Sequence, residues 1–352
     1  MRDLPLQYAD YACWQQNSMR GDALEKHLAY WRRQLGGDLP VLELPTDNPR
    51  PEVMSHEGAH ERVTIPAELP DFLKGLSKQH GVTLFMTLLS AYAVLLHHHS
   101  GQPCVLIGTS VSGRDLKATE GLIGCLLNQI ALRVDLSGDP TFVELLERVR
   151  QMVIESFAHQ ALPFDMAVEH LQQKRDLSRT PVFQVMFVLQ NTPMSVLEFA
   201  GLRLTPWEIE SGTSRFDLTL DLSDRAGRLD GWLEYKTGLF NAHTAGLMGK
   251  HFQGILSKVV AQPDLKLSEL RQALEQQDRQ QEIEMGVRLN ELSRSKLKNL
   301  RREALVGSPS KARSPNMGST RRRMTEAKDR DSTLLPAPSR GFKLSDREGT
   351  SY

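Results

Sequence analysis

The stretch Val182-Phe183-Gln184-Val185-Met186-Phe187-Val188-Leu189 decides the fold class, because a short apolar run with little alternation is typical of a central strand. Downstream, residues 216–222 and 231–235 alternate between apolar and polar side chains, which predicts two half-buried strands. Asp224-Arg225-Ala226-Gly227 predicts a hairpin turn between them. The sheet therefore contains at least one buried strand and one antiparallel pair.

Helical patterns and two further strands surround this sheet. Residues 84–96 are apolar nearly all round, which predicts a buried helix. The other patterns predict a helix over 71–80 closed by Gly81, strands over 105–111 and 130–136, a helix opened by Asp139-Pro140, and a last helix capped by Asn241. Together they predict an α/β fold, a mixed β-sheet packed with helices.

The composition argues against several classes of protein. The 352 residues have a formal net charge of zero, so no overall field attracts nucleic acid or a membrane surface. The longest apolar stretch is shorter than the roughly 20 residues that a bilayer span needs. No signal peptide is apparent, and Cys13, Cys104 and Cys125 are too far apart for a metal motif. We expect core thiols in a cytoplasmic protein with no nucleic-acid or membrane partner.

The composition changes near residue 274. Leucines recur at helical spacing up to about residue 305, so this part can be a helix. From Gly307 onward Ser, Pro, Gly, Lys and Arg dominate, which predicts disorder. The run Arg321-Arg322-Arg323 has no interleaved aromatic residues for base stacking, so a solvated tail is favoured over nucleic-acid binding.

Five short motifs follow one another between residues 4 and 271. They are Tyr8-Ala9-Asp10-Tyr11-Ala12-Cys13-Trp14, Leu44-Pro45-Thr46-Asp47-Asn48-Pro49-Arg50-Pro51, Ile123-Gly124-Cys125-Leu126-Leu127-Asn128-Gln129-Ile130-Ala131-Leu132-Arg133, His159-Gln160-Ala161-Leu162-Pro163-Phe164-Asp165 and Arg175-Asp176-Leu177-Ser178-Arg179-Thr180-Pro181. In order and spacing the set resembles the motifs of condensation domains from nonribosomal peptide synthetases. The resemblance includes Asn191, after the central strand.

Condensation domains consist of two chloramphenicol-acetyltransferase-like lobes, and the resemblance implies that this chain is the C-terminal lobe. A complete condensation domain arranges the two lobes as a V. Carrier-protein domains present thioester substrates on phosphopantetheine arms in the channel between them, and an amide forms. The chain itself is then expected to bind no cofactor and no metal. The implied divisions are 1–50, a segment that follows the N-terminal lobe; 51–274, the C-terminal lobe; 275–306, a helical linker; and 307–352, a disordered basic tail.

The catalytic motif of the family, His-His-x-x-x-Asp-Gly, does not occur in the 352 residues. The triplet His97-His98-His99 resembles it, but Gln102 and Pro103 stand where the first frame needs Asp and Gly. The triplet closes a buried helix, where polar or cationic side chains suit the negative end of the helix dipole. We interpret it as a helix terminus rather than as a metal or catalytic site. The lobe with the catalytic histidine is expected to be missing, and no residue here is expected to be catalytic.

The candidate site residues are channel or supporting residues of the matched motifs: Tyr8, Asp10, Trp14, Arg114, Asn128, Arg133, Gln160, Pro163, Arg175, Arg179 and Asn191. Arg114 matches an arginine that pairs with the Asp of the missing motif, and a loop arginine is an equal alternative. Asn128 needs hydrogen-bond partners if it is buried, and a loop-locking role is favoured over one across the channel.

The remaining charged motif residues are interpreted as structural. His159 and Asp165 belong to a loop that Pro163 shapes. The cluster of Arg175, Asp176 and Arg179 is expected to be a solvated ion-pair network at the entry to the central strand.

Two functions from different classes remain open, and so does the question of whether this chain alone is an enzyme. The first is a lobe of a split or truncated synthetase that works beside a partner lobe or a neighbouring synthetase module. The second is a non-catalytic remnant that still binds a carrier protein. The helix predicted over 275–306 can serve either as a linker or as a docking element.

Overall fold

The computed structural model is built around a six-stranded mixed sheet, and it describes residues 6–37, 39–171, 176–190, 198–199, 202–203, 211–225, 227–280 and 283. The strands are β1 (Gly58–Thr64), β2 (Cys104–Val111), β3 (Asn128–Asp135), β4 (Val185–Gln190), β7 (Leu218–Arg225) and β8 (Arg228–Lys236). Their order is β1-β8-β7-β4-β2-β3. A separate two-stranded sheet pairs β5 (Glu198–Phe199) with β6 (Leu202–Arg203).

Strand β4 lies inside the sheet, as its apolar sequence predicts. It pairs in parallel with β2 on one side and with β7 on the other. The other strand pairs, β1–β8, β7–β8 and β2–β3, are antiparallel. The predicted hairpin is confirmed, because Arg225 pairs with Arg228 and Gly227 has a φ of +77°. The mixed sheet with helices confirms the predicted fold class.

Eight α-helices accompany the sheet in the described part of the chain, and a short 3-10 helix covers Lys117–Thr119. The α-helices are α1 (Tyr8–Ser18), α2 (Gly21–Leu35), α3 (Leu69–Gln79), α4 (Leu84–Ser100), α5 (Phe142–Ala158), α6 (Phe164–Leu171), α7 (Ala242–Ala261) and a final helix, α8, over 267–280. Helix α4 contacts α3, α5, α7 and the strands β2 and β4, and its residues 86–96 are all buried. This burial explains why its sequence is apolar on every side.

The start of α5 differs from the prediction. The helix begins at Phe142, because Thr141 caps it and Glu144 completes a capping box. Pro140 therefore precedes the cap instead of occupying the first turn. The carboxylate of Asp139 accepts hydrogen bonds from the backbone and hydroxyl of Ser268, both at 2.8 Å. Asn241 caps α7 as predicted, but α7 is followed by α8.

The predicted divisions of the chain fall on the structure as follows. Side chains of α2, including Leu28, Tyr30 and Trp31, belong to the main hydrophobic core, although they lie in the 1–50 segment. Helix α8 runs through residue 274 without a break. The predicted tail over 307–352 and nearly all of the predicted helix beyond residue 280 lie outside the described residues.

Two smaller expectations concern the thiols and the membrane. Cys13 and Cys125 are exposed and Cys104 is half-buried, so the prediction of core thiols is wrong. The two exposed thiols lie on α1 and on the loop before β3.

No single described helix is long and apolar enough to cross a bilayer. Helices α3 and α4 reach that length and composition only as a pair, which is bent by 104°.

We expect Gly108→Ala to lower the free energy of unfolding by about 1–3 kcal/mol or more. Gly108 lies in β2, and a Cβ atom there would approach the Phe183 ring to 2.1 Å. Gly75→Ala is the matched control, since a Cβ there meets nothing within 4 Å and alanine favours the helix. Urea unfolding of both variants checks this, and equal midpoints would contradict the close approach at Gly108.

Candidate functional site

A small cleft of about 70 Å³ lies where three parts of the chain meet. Helix α1 contributes Trp14, the start of β3 contributes Asn128, and the loop after α5 contributes Gln160. The end of β2 and the loop over 113–119 complete the wall. Three of the predicted site residues, from three different motifs, are therefore brought together.

Helix α1 is fixed to the Ile-Gly motif by Tyr8. The Tyr8 hydroxyl donates a hydrogen bond to the Cys125 carbonyl at 3.0 Å. The Tyr8 ring lies directly on Gly124, where an added Cβ would come within 2.3 Å of it. Asp10 supports the same helix, because its carboxylate accepts from the Gln7 backbone at 2.9 Å. The two motifs thus form one side of the cleft, and glycine is required at the contact.

Asn128 connects the start of β3 to the loop after α5. Its Nδ2 donates to the carbonyls of Gln160 at 2.8 Å and Leu162 at 2.7 Å. Its Oδ1 accepts from the backbone of Phe164 at 3.0 Å and of Gln129 at 2.9 Å. The amide is fully used in holding the 160–164 loop, which supports the loop-locking role.

Arg114 closes its own loop. Its guanidinium donates to the backbone carbonyls of Thr119 and of Glu120, the latter at 3.3 Å. Its neighbour Asp115 lines the cleft. Of the two alternatives for Arg114, these contacts match the loop arginine.

Arg133 and Pro163 lie away from the cleft lining. Arg133 is further along β3 and donates to the Gln34 carbonyl at the end of α2, at 3.2 Å. The Pro163 carbonyl accepts from the Ala167 backbone at 3.1 Å at the start of α6. Arg133 therefore ties β3 to α2, and Pro163 opens α6.

His159 is next to Gln160 in sequence, but its ring packs against α2. It stacks on Tyr30 with 4.2 Å between ring centroids, and its Nδ1 is 3.0 Å from Nδ1 of His27. Burial, followed by the charge of His27, lowers the pKa of His159. The ring does not line the cleft. This placement agrees with a structural role.

The charged cluster before β4 is partly described. Asp176 and Arg179 approach to 3.6 Å, while Arg175 and Asn191 lie outside the described residues.

A second ion cluster, which the sequence did not predict, lies nearby and is formed by Asp217, Arg50 and Lys236. Arg50 binds Asp217 through two hydrogen bonds, and the Lys236 amine is 3.7 Å away. Arg50 stands in the matched motif over 44–51, but Asp217 occupies a polar position of its alternating strand, so the sequence gives no sign that the two meet.

The histidine triplet is distant from the cleft. His97 bonds to Gln102 just before β2 begins at Cys104, whereas the cleft lies where β2 ends at Val111. A strand of this length separates its two ends by roughly 20 Å. Burial lowers the pKa of His98 to about 4 and that of His99 to about 3. Burial therefore favours the neutral form of these two rings at pH 7.

The described lining of the cleft offers groups for binding and positioning. None of its described lining residues is a histidine. Its titratable side chains are the Asp115 carboxylate and the Tyr11 phenol, and burial raises the pKa of Tyr11. Trp14 is half exposed and offers an apolar indole at the mouth.

Comparison with known proteins places the chain among condensation domains. The family model described as "Condensation domain" matches residues 1–282. A linear gramicidin synthase protein of Brevibacillus parabrevis is 47% identical over 265 residues, which is 75% of this chain but 3% of that protein. Malpinin synthetase of Mortierella alpina is 46% identical over 241 residues, covering 68% of this chain and 3% of its own length. The chain thus spans a small fraction of these relatives.

Solved structures agree with the sequence comparison. The X-domain from teicoplanin biosynthesis superposes with a TM-score of 0.70 at 28% identity, covering 76% of this chain and 62% of that one. A four-domain nonribosomal peptide synthetase bound to AMP and glycine gives a TM-score of 0.67 at 28% identity, covering 72% of this chain and 20% of that one. The chain therefore belongs to the condensation-domain family of nonribosomal peptide synthetases.

Proposed function

We propose that this chain forms one wall of a condensation channel and that the catalytic imidazole comes from protein outside these 352 residues. In the family reaction the nitrogen of an amine attacks a thioester on a phosphopantetheine arm, the C–S bond breaks and releases the thiol of that arm, and an amide forms. This wall would position the arms and keep the cleft loops rigid, while a lobe with His-His-x-x-x-Asp-Gly would handle the proton.

One observation carries the proposal. Residues of the Tyr-x-Asp, Ile-Gly-x-x-x-Asn and His-Gln motifs meet in a single cleft, yet no described lining residue of that cleft is a histidine. The hydrogen bonds of Asn128 and Tyr8 tie separate segments of the wall together, which favours positioning. The family motif that would supply the base is missing from the sequence.

A second function is supported by a different observation. The X-domain of teicoplanin biosynthesis has also been solved in complex with OxyB, and that structure superposes with a TM-score of 0.69 at 28% identity. A chain with this fold can therefore serve as a binding platform. In that case this chain would recruit a carrier protein or another partner without forming a bond itself.

We expect the purified chain alone to form no amide from aminoacyl-loaded carrier proteins, measured by mass spectrometry against a reaction without protein. Adding a separately expressed condensation N-terminal lobe that carries His-His-x-x-x-Asp-Gly should restore amide formation. His98→Ala is the control and should leave the restored rate unchanged. Turnover by the chain alone that His98→Ala abolishes would disprove the proposal.

Carrier binding separates the two functions. Trp14→Ala removes a half-exposed indole at the cleft mouth and should weaken binding of a phosphopantetheine-loaded carrier about tenfold, or roughly 1.4 kcal/mol. Phe72→Ala is the matched control, because Phe72 is a similarly exposed aromatic residue on α3. Carrier binding without restored amide formation would favour the binding-platform function. The absence of both carrier binding and amide formation would count against both proposed functions.

A further inference from the structure

Three imidazoles meet at the end of α4, far from the cleft. His98 and His99 come from the last turn of α4, and His251 comes from the middle of α7. The three rings form a triangle, with centroid distances of 5.0 Å, 5.1 Å and 5.1 Å. One ring nitrogen from each residue lies within 4.8 Å of the other two.

A carboxylate orients one of these rings. Asp278 of α8 accepts a hydrogen bond from Nε2 of His251 at 2.8 Å. This bond keeps the proton on Nε2 and leaves the lone pair of Nδ1 free to face His99. An aspartate that holds the far nitrogen of a histidine is the usual second partner of a metal-binding imidazole.

The facing nitrogens of His99 and His251 have the spacing of two ligands on one ion. Nδ1 of His251 lies 3.1 Å from Nε2 of His99, and two nitrogens on one tetrahedral zinc are about 3.3 Å apart. Nδ1 of His98 is buried and has no hydrogen-bond partner among the described residues. In the metal-free chain one nitrogen of the 3.1 Å pair has to donate a proton to the other. A bound ion would take the place of that proton and could also satisfy His98.

We propose that His98, His99 and His251 form a binding site for a divalent transition-metal ion of the zinc class. Three neutral nitrogen donors suit zinc, cobalt and nickel better than magnesium or calcium, which prefer oxygen. Water would complete a tetrahedral shell, since His98 and His99 are only half-buried. The ion would join α4 to α7, and through Asp278 it would also hold α8. This site departs from the sequence-based expectation of no metal.

The experiment uses the full chain without a polyhistidine tag, stripped of metal with a chelator and titrated with Co²⁺. We expect one ion per chain, a visible absorption band of tetrahedral cobalt, displacement by Zn²⁺, and a thermal midpoint that rises when metal is added. The proposal would be overturned if the titration shows no bound Co²⁺. It would also be overturned by a sulfur-to-cobalt charge-transfer band, because that band indicates that the cysteines bind the ion.

Variants test the ligand set. His98→Gln and His99→Gln should each weaken the ion about tenfold or more, while His97→Gln, whose ring bonds to the Gln102 carbonyl, should bind as the wild type does. Asp278→Asn should weaken binding about 10- to 100-fold. The thermal midpoint of each metal-free variant shows whether it is folded. An equal loss in His97→Gln, or no loss in His99→Gln, would overturn the site.

Discussion

Asp217→Ala is expected to lower the free energy of unfolding by about 3–5 kcal/mol, because it leaves the buried Lys236 and the largely buried Arg50 without the counter-ion that contacts both. The Asp217 side chain is only 5% exposed and lies between Arg50 and Lys236. Arg50 binds both carboxylate oxygens, and Lys236 is 3% exposed with its amine at 3.7 Å. Removing the carboxylate removes the negative charge that directly contacts both cations.

Asp230→Ala is the matched control for Asp217→Ala. Asp230 pairs with Arg62, but their side chains are 40% and 64% exposed, so the pair is expected to contribute no more than about 1 kcal/mol. Chemical unfolding of both variants measures the difference. An equal decrease in the free energy of unfolding in the two variants would show that burial of the Asp217 cluster does not add to its stabilising effect.

The loss in Asp217→Ala should shrink as the pH rises above neutrality. Burial already lowers the pKa of Lys236 below 10.5, and Asp217 opposes that shift. Without Asp217 the folded-state pKa should fall further below the unfolded value. Between those two values the unfolded chain binds more protons, so stability increases with pH. Chemical unfolding of Asp217→Ala and of the wild type from pH 7 to about pH 10 would measure this trend. A difference in the free energy of unfolding that grows with pH would contradict it.

Asn128→Ala is expected to lower the free energy of unfolding by about 2–4 kcal/mol, because three hydrogen bonds to another segment disappear together. The Asn128 amide holds the carbonyls of Gln160 and Leu162 and the backbone N–H of Phe164. The loop over 160–164 should then move away from β3 and open the cleft. Chemical unfolding gives the energy, and hydrogen exchange at Phe164 reports the local opening.

Asn128→Asp tests the direction of these hydrogen bonds. A carboxylate can still accept from Phe164, but it would face the carbonyls of Gln160 and Leu162 without a proton to donate. We expect this variant to lose at least as much stability as Asn128→Ala. Gln129→Ala removes the neighbouring amide and leaves Asn128 in place, so it should be nearly neutral. Full stability in Asn128→Asp would show that the loop is held by other contacts.

Much of the fold followed from local sequence. The apolar run at β4, the alternation in β7 and β8, and the fully apolar α4 each predicted a type of element from side-chain periodicity alone. The start of α5 differs from the prediction, since Pro140 is a common first-turn residue but the capping box of Thr141 and Glu144 begins the helix at Phe142. The family followed from short motifs, which are also local strings of residues.

The amino-acid sequence by itself determined the types of helix and strand and the family, because both are written in neighbouring residues. Only the tertiary structure decided which distant side chains meet. Tyr8 bonds to Cys125 across 117 positions, Arg50 to Asp217 across 167, and His99 to His251 across 152. Such pairs leave no periodic signal, since the sheet order and the packing of α4 against α7 bring them together. The cleft, the buried ion cluster and the three imidazoles are therefore products of the fold.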